Sequence, residues 1–250
     1  MTQFAAMGDI DLTNLARIDT SGLGAGPVVI RGGNLYLDDS EILAQTTRTG
    51  SIQAGTIDIT TSERIKITNL GLISSSTFDR GEGGSVNVTT DSLFIDGMGL
   101  KAFTGIFADA KRGSTGNGGN VAVLAQALSI VGGGQIAAAT FSSGRGGGLT
   151  IHAGSLSIDG STAPDLFTGL SAATEGTGNA GNVSVTVDDT LSLFGGGEIS
   201  AASSTSAAAG SVQLRLGILS MYSGSSISSA NTGSGEAGSV FIETTGPVQP

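Results

Sequence analysis

The sequence contains no cysteine and no tryptophan, and its 250 residues include one histidine and only 4 prolines. Without cysteine the chain has no disulfide bridge, thiol nucleophile or zinc–thiolate site. His152, the one histidine, follows Ile151 in an alternating segment, so we expect it to point into solvent. One histidine alone builds neither a Ser-His-Asp triad nor a multi-histidine metal site. We predict no catalytic residue, no cofactor and no metal.

Charge and long apolar runs are also scarce. Only 13% of the residues are charged and the net charge is -10, which opposes binding to nucleic acid or anionic membranes because both require a basic surface. No apolar run approaches the roughly 20 residues of a membrane span. The opening MTQFAAMGDIDLTNL lacks the basic and apolar regions of a signal peptide. We predict neither nucleic-acid binding nor membrane insertion, and we expect a segment of a longer protein.

Glycine is abundant, with 42 residues that lack the G-X-Y period of collagen. Many of these glycines precede a short aliphatic run that recurs eight times, about every 28 or 29 residues and after about 34 or 35 residues in two longer copies. The first apolar residues of the eight runs are Val28, Ile57, Val86, Val121, Leu149, Val183, Val212 and Val240. This regularity indicates a repeat architecture.

Each copy contains two further alternating runs. The second run begins shortly after the first, at Leu35, Ile65, Leu93, Leu128, Leu156, Leu191 and Leu219. The third run contains Ile42, Ile73, Ile136, Ile199 and Ile227, and it falls near Ile106 and Leu170 in the longer copies. A shorter first unit places Ile10 and Ile18 in comparable positions.

Three alternating runs per copy, without helical periodicity, predict an all-β chain. A propeller blade needs four strands and about 40 residues or more, whereas this repeat has the length of one turn of a three-sided parallel β-helix. We predict a β-solenoid with three short strands per coil and about 8–9 coils. One domain covers 1–250, with a short first coil at 1–25, repeats over 26–245 and a tail at 246–250.

The corners of the coils are expected to use glycine because turns with positive φ favour it. One corner also carries a polar residue at matched positions. These residues are predicted to form a structural ladder: Ser85, Asn120, Asn182, Ser211 and Ser239.

The copies resemble the passenger repeats of filamentous haemagglutinin-like proteins of the two-partner secretion route, of the type found in large cyanobacterial members. The stretches that carry the likeness are GNGGNVAVLAQALSIVGGGQIAAATFSSGRGGG (116–148), GTGNAGNVSVTVDDTLSLFGGGEISAAS (176–203) and RIDTSGLGAGPVVIRGGNLYLDDSEILAQT (17–46). The resemblance implies a right-handed parallel β-helix and export through an outer-membrane partner pore. It also implies an extracellular or cell-surface location and adhesion to a surface glycan or cell-surface receptor.

A nucleotide-binding motif is one competing interpretation. Gly176, Gly178 and Gly181 have the G-x-G-x-x-G spacing of a dinucleotide-binding turn. Such a turn opens onto a helix, whereas this one, like a second match at 233–238, runs directly into a strand-like segment. We interpret both as corners of the repeat.

A carbohydrate-active β-helix enzyme, a polysaccharide lyase or hydrolase, is the alternative function. Asp96 and Asp159 end second runs two coils apart, as Asp38 does earlier, and about 9 to 10 Å would separate them, near the spacing of an inverting glycosidase. Val131 on the intervening coil offers no polar support, so we interpret these carboxylates as acceptors for turn N–H groups. An ice-binding solenoid would need a regular T-x-T ladder, and the threonines here are irregular.

The two longer copies carry insertions at the same place, near 97–106 and 160–170, and both end in Phe-Thr-Gly. Insertions at one corner of a solenoid form loops on one face, often the binding face. Candidate recognition residues are Lys101, Phe103, Thr104, Asp165, Phe167 and Thr168. The alternative is that the two phenylalanines pack beneath their loops.

The ends of a solenoid can mediate association between chains. Open terminal coils can pair with other chains, so we expect end-to-end self-association. The sequence as a whole predicts a structural and adhesive rod that is not an enzyme.

Overall fold

A computed structural model describes residues 7–47 and 55–246, and every element in these ranges is a β-strand. Each strand pairs in parallel with the strand two elements later, so that successive coils stack. The predicted fold class is confirmed: the chain is a parallel β-solenoid of about eight turns. Within the described ranges no helix has the length and apolarity to cross a membrane. Residues 247–250 of the predicted tail lie outside the described residues.

Two sheets run along the solenoid. The nine strands of the first, the long-strand sheet, are β1 (Ile10–Thr13), β3 (Val28–Asp38), β5 (Ile57–Thr68), β7 (Val86–Asp96), β9 (Val121–Val131), β11 (Leu149–Asp159), β13 (Val183–Phe194), β15 (Val212–Met221) and β17 (Val240–Thr244). The eight strands of the second, the short-strand sheet, are β2 (Arg17–Asp19), β4 (Glu41–Leu43), β6 (Leu72–Ser74), β8 (Thr104–Phe107), β10 (Gly134–Ala137), β12 (Thr168–Ser171), β14 (Gly197–Ser200) and β16 (Ser226–Ser228).

The register of both sheets follows the sequence repeat. All eight first-run residues, from Val28 to Val240, are paired coil by coil along the long-strand sheet. In the short-strand sheet Ile106 and Leu170 of the longer copies fall in the same column as the other third-run residues. The first coil is also in place, with Ile10 beside Leu35. The insertions therefore leave the coil register unchanged.

The prediction of three strands per coil is not confirmed, because the first two runs form one continuous strand. In β7 the alternation of buried and exposed residues changes phase between Thr90 and Leu93, yet the strand continues from Val86 to Asp96. The pairing with β9 keeps one register across this change of phase, whereas the pairing with β5 shifts register between Thr60 and Arg64. In the sequence, this change of phase looks like the end of one strand and the start of another, although no turn separates the two runs.

The core is a stack of aliphatic columns enclosed by the coils. Leu35, Ile65 and Leu191 are typical members, each almost without exposed surface. A column repeats aliphatic side chains at the spacing of parallel strands, about 4.8 Å, so each residue packs on its counterparts above and below. This arrangement explains how a chain with 4% aromatic residues buries a continuous core.

One corner of the coil consists of glycines stacked directly on glycines. The column contains Gly84, Gly119, Gly147, Gly181, Gly210 and Gly238, and a Cβ at any of them would lie only 1.4 to 1.8 Å from a carbonyl oxygen of the preceding coil. None of these six has a positive φ. The expected reason for glycine is therefore wrong at this corner, because the requirement is close backbone contact.

Positive φ is concentrated at the opposite corner, between a long strand and the following short strand. Asn14, Asn69, Gly132 and Gly195 all adopt it there. This turn accepts asparagine for two reasons. Asparagine adopts a left-handed backbone more readily than most residues, and in some coils the turn leaves room for a side chain. The two corners thus select glycine for two different reasons.

A column of single bridges follows the short strands and contains buried hydroxyl groups. We call it the bridge column: Gly22, Thr46, Thr77, Ala110, Thr140, Thr174, Ser203 and Asn231. The hydroxyls of Thr140 and Thr174 donate at 2.7 Å to carbonyl groups four residues later, at Gly144 and Gly178. Each such hydrogen bond holds the Gly-rich corner loop against its own coil. No spacing in the sequence predicted this column.

The glycine column can be tested with Gly181→Ala. The added Cβ would lie 1.8 Å from the Gly147 carbonyl oxygen, so the coils must separate locally, and we expect the free energy of unfolding to fall by about 1–3 kcal/mol or more. Gly22→Ala is the matched control, because only one atom lies as close as 4.0 Å to its added Cβ. Urea denaturation measures both variants, and equal losses would contradict the proposed crowding.

The bridge column can be tested with Thr140→Val, which keeps the shape and removes the hydroxyl. The variant leaves the buried Gly144 carbonyl without this donor, and we expect a loss of about 1–3 kcal/mol in the free energy of unfolding. Thr150→Val, on the exposed face of β11, is the control and should change stability by less than about 0.5 kcal/mol. A thermal melt in which Thr140→Val matches wild type would refute a stabilising role.

Candidate functional site

The glycines of the nucleotide-like motif lie in the stacked corner of the solenoid. A Cβ on Gly176, Gly178 or Gly181 would overlap the backbone of the preceding coil, at Ser142, Gly144 and Gly147 respectively. The segment continues into β13 without a helix. Its amide groups are used within the solenoid: the Gly176 N–H donates to the Thr174 hydroxyl, the Gly178 N–H to the Ser142 carbonyl and the Gly181 N–H to the Ala172 carbonyl. The interpretation as a repeat corner agrees with this geometry.

The three carboxylates considered for catalysis accept local hydrogen bonds. Asp96 accepts from the Met98 backbone N–H at 2.8 Å, and Asp159 accepts from the Ser161 N–H at 2.9 Å. Asp38 instead accepts from the Thr68 hydroxyl at 3.0 Å. Val131 is paired between Asp96 and Asp159. Asp96 and Asp159 thus stabilise the turns that follow their long strands, as predicted, whereas Asp38 joins the ends of two adjacent long strands.

The predicted polar ladder links coils through several different contacts. Asn120 accepts from the Gly148 N–H at 2.7 Å, and Asn182 accepts from the Ser211 N–H at 2.8 Å. The hydroxyl of Ser239 lies 3.1 Å from that of Ser211. Ser85 occupies the equivalent position before β7, where its carbonyl accepts from the Ile57 N–H. The contacts join adjacent coils at the entry to the long strands.

A large groove lies on the outer face of the short-strand sheet. We call it the aromatic groove. It has a volume of about 840 Å³ and it contains aromatic, amide and charged side chains: Phe78, Phe103, Phe107, Phe141, Phe167, Gln45, Gln135, Asp109, Lys111, Arg112, Glu175 and Glu198. This volume lies within the usual range of ligand sites, roughly 300 to 1,000 Å³.

Stacking of the coils accounts for the shape of the groove. Its floor consists of small outward residues, among them Ala137, Ala139 and Ser171. One side is formed by residues that directly follow the bridge column, so that Phe78 and Phe141 lie on coils on either side of Lys111. The two insertion loops enter the short strands from the opposite end. The groove therefore exists because small residues, large residues and insertions occur at fixed places in each coil.

Lys111 lies at the centre of an aromatic cluster in this groove. Its Nζ is 5.1 Å from the ring centroid of Phe103, 5.2 Å from that of Phe107 and 5.8 Å from that of Phe141. All three distances are within the range of a cation–π interaction. Phe103 also meets Phe107 edge to face, with centroids 5.6 Å apart. These contacts fix the ammonium group over the floor of the groove.

Asp109 provides the counter-charge for Lys111 from below. Its side chain is only 2% exposed, and its Oδ2 lies 2.7 Å from Lys111 Nζ. Its Oδ1 accepts from the Ala139 N–H of the next coil at 2.8 Å. A buried carboxylate requires such partners. The ion pair therefore ties the groove floor to two coils.

Two further charged contacts lie at the rim of the groove. Arg112 and Glu175 form an ion pair of 3.3 Å in which both side chains are more than half exposed. Glu198 adds a third carboxylate at the end of the groove. The cation side chains are therefore matched by neighbouring carboxylates, and the groove carries a slight excess of negative charge.

The structure divides the predicted recognition residues into three groups. Phe103 and Phe167 line the aromatic groove, and Phe103 is 56% exposed, so its ring is not simply packed beneath the loop. Lys101 and Asp165 are exposed on the loops and are not among the residues that line the groove. Only the two phenylalanines are therefore brought to a common surface.

Thr104 and Thr168 form the third group and have a structural role. Both are fully buried. The Thr104 hydroxyl accepts from the Leu70 N–H at 3.0 Å, and the Thr168 hydroxyl accepts from the Gly133 N–H at 2.9 Å. Each threonine thus holds the turn of the preceding coil. The repeated Phe-Thr-Gly combines one groove residue with one structural residue.

Several groove residues were missed by the sequence analysis. Lys111 and Arg112 are adjacent in the sequence, and each is paired with its own carboxylate. Phe78 and Phe141 each directly follow a threonine of the bridge column. The recurring Thr-Phe dipeptide at matched repeat positions was the available signal.

Two remaining expectations concern His152 and the terminal coil. His152 is exposed on β11, as expected, with Nε2 3.5 Å from Asp188. Every residue of β17 is exposed, including Val240 and Ile242, and end-to-end association remains a prediction.

The described part of the chain contains no cluster of three or more His, Cys, Asp or Glu residues with a metal-binding arrangement.

The Asp109–Lys111 pair can be tested with Lys111→Met. The variant leaves a carboxylate buried without its cation, and we expect the free energy of unfolding to fall by about 3–5 kcal/mol. The adjacent Arg112→Met removes an exposed pair and should cost about 1 kcal/mol or less. Adding Asp109→Asn to Lys111→Met should restore part of the loss. Chemical denaturation of the wild type and the three variants measures these losses. Equal losses for Lys111→Met and Arg112→Met would contradict burial of the carboxylate as the cause.

Comparison with known proteins identifies no relative of this chain. No family model matches the chain, and no curated protein or solved structure is significantly similar to it.

Proposed function

We propose that the chain is a structural and adhesive β-solenoid segment of a secreted cell-surface protein of the filamentous haemagglutinin-like type. The proposal combines the resemblance of the repeats with one structural observation, the aromatic groove. Adhesion requires exposed recognition side chains on a rigid support, and the groove presents Phe78 and Phe103 at 45% and 56% exposure on a stack of paired strands. Exposed aromatic residues in a concave site are typical of binding surfaces.

A carbohydrate-active enzyme is the second candidate, and one observation favours it. The groove contains the carboxylates of Asp109, Glu175 and Glu198, and paired carboxylates are the usual catalysts of glycoside hydrolysis. Asp109 and Glu175 are each held in an ion pair with a neighbouring cation. A carboxylate fixed in this way is well placed for structure and binding, which supports adhesion over catalysis.

Adhesion can be tested with fluorescent beads coated with the protein and washed over immobilised cells and polysaccharides. We expect retention on at least one surface and a loss of at least about fivefold with Phe103→Ala, because exposed aromatic residues carry much of the energy of binding sites. Phe241→Ala is the matched control, since Phe241 has a similar exposure of 52% on β17 of the other sheet.

Two results would contradict the adhesive proposal. One is retention that Phe103→Ala and Phe241→Ala reduce equally, because binding would then not involve the groove. The other is release of new reducing ends from the polysaccharides by wild-type protein but not by Glu198→Gln, which would assign an enzymatic function to the same groove.

A further inference from the structure

The dimensions of the aromatic groove indicate an elongated ligand. Strands β6 to β14 of the short-strand sheet, five in number, all contribute residues to it. At a strand spacing of about 4.8 Å the groove extends roughly 19 Å along the solenoid. A ligand that fills about 840 Å³ over this length is a short linear chain rather than a single small ring.

The backbone beneath the groove offers no pairing edge. Strands β8, β10 and β12 each have a hydrogen-bonded neighbour on both sides, so an extended peptide cannot add a strand there. Recognition must therefore use side chains alone. This argues against a peptide that would bind through its main chain.

Aromatic rings provide apolar surfaces at intervals along the groove. Phe78, Phe103 and Phe167 belong to different coils, so their rings recur along the ligand direction rather than in one pocket. An aromatic face carries negative potential, and it attracts the C–H groups on the flat side of a pyranose ring. A chain of sugars presents such a side at each ring.

Amide groups next to these rings are held in place and retain free hydrogen-bonding capacity. The Gln45 side chain donates to the Ser74 hydroxyl at 2.9 Å, and the Gln135 side chain donates to the Phe167 carbonyl at 3.3 Å. Each contact uses an amide N–H and leaves the carbonyl oxygen as an acceptor. Lys111 retains donors beyond the one directed at Asp109. Donors and acceptors beside aromatic rings match the hydroxyl groups of a sugar.

The charge of the groove selects against an anionic ligand. Lys111 and Arg112 are each neutralised by a carboxylate, Glu198 adds further negative charge, and the whole chain carries a net charge of -10. The negative charge of the groove would repel a sulfated or uronate polysaccharide. An uncharged sugar chain meets no such penalty.

We infer that the aromatic groove binds an uncharged oligosaccharide, with sugar rings on Phe103 and Phe167 and hydroxyl groups at Gln135 and Lys111. The inference rests on the proposed adhesive function and supplies its ligand class. It assigns different roles to neighbouring residues, because Thr104 and Thr168 support the turns while the phenylalanines contact the ligand.

Binding in solution tests this inference with cellotetraose, maltotetraose and mannotetraose as uncharged probes and tetragalacturonate as the anionic counterpart. Saturation-transfer NMR and calorimetry should show binding of at least one uncharged probe. We expect Phe103→Ala to weaken that binding by about tenfold and Phe241→Ala to leave it within about twofold. Tetragalacturonate should bind about tenfold more weakly than the best uncharged probe.

The inference is overturned if no uncharged probe binds, if tetragalacturonate binds most tightly, or if both alanine variants weaken binding equally. These failures can be separated from failure of the adhesive proposal. Beads that lose retention with Phe103→Ala while every uncharged tetrasaccharide fails to bind would keep adhesion and reject this ligand class. Sugar binding without bead retention would keep the ligand class and reject adhesion.

Discussion

Direct stacking of one coil on the next is the constraint on which the structure depends. Parallel strands lie about 4.8 Å apart, so any residue placed at a given position of the coil must fit against its equivalents above and below. Where backbone meets backbone, as at Gly181, only glycine fits. Where side chains face inward, as at Leu191, aliphatic residues recur. The composition of the chain is a direct result of this spacing.

The aromatic groove arises from the same constraint through two departures from the repeat. The insertions near 97–106 and 160–170 add loops at one end of the short strands but keep the register of Ile106 and Leu170. Residues outside the core are free to vary, and Lys111 replaces phenylalanine between Phe78 and Phe141. A rigid repeat thus supplies position, and a few irregular residues supply the chemistry of the groove.

The sequence predicted the register of the fold well because each column repeats one kind of residue. Val28 and Val240 were matched from the pattern alone, and the structure pairs their columns throughout. The number of strands was harder to predict, since the change of phase near Thr90 occurs within one continuous strand. The groove was largely hidden for another reason. Gln45 and Glu198 approach one surface only after several coils are stacked, and the Asp109–Lys111 pair depends on side-chain directions that a spacing does not specify.

The orientation of the hydrogen bonds has a mechanical consequence. In both sheets the bonds between strands run from coil to coil, which is along the axis of the rod. Tension applied to the two ends of the solenoid therefore pulls directly on one inter-coil ladder at a time, instead of shearing a whole sheet at once. A coil of the common length, 28 or 29 residues, would release roughly 100 Å of extended chain when it detaches. A solenoid of this design would lengthen in steps under load and absorb a sudden pull one coil at a time.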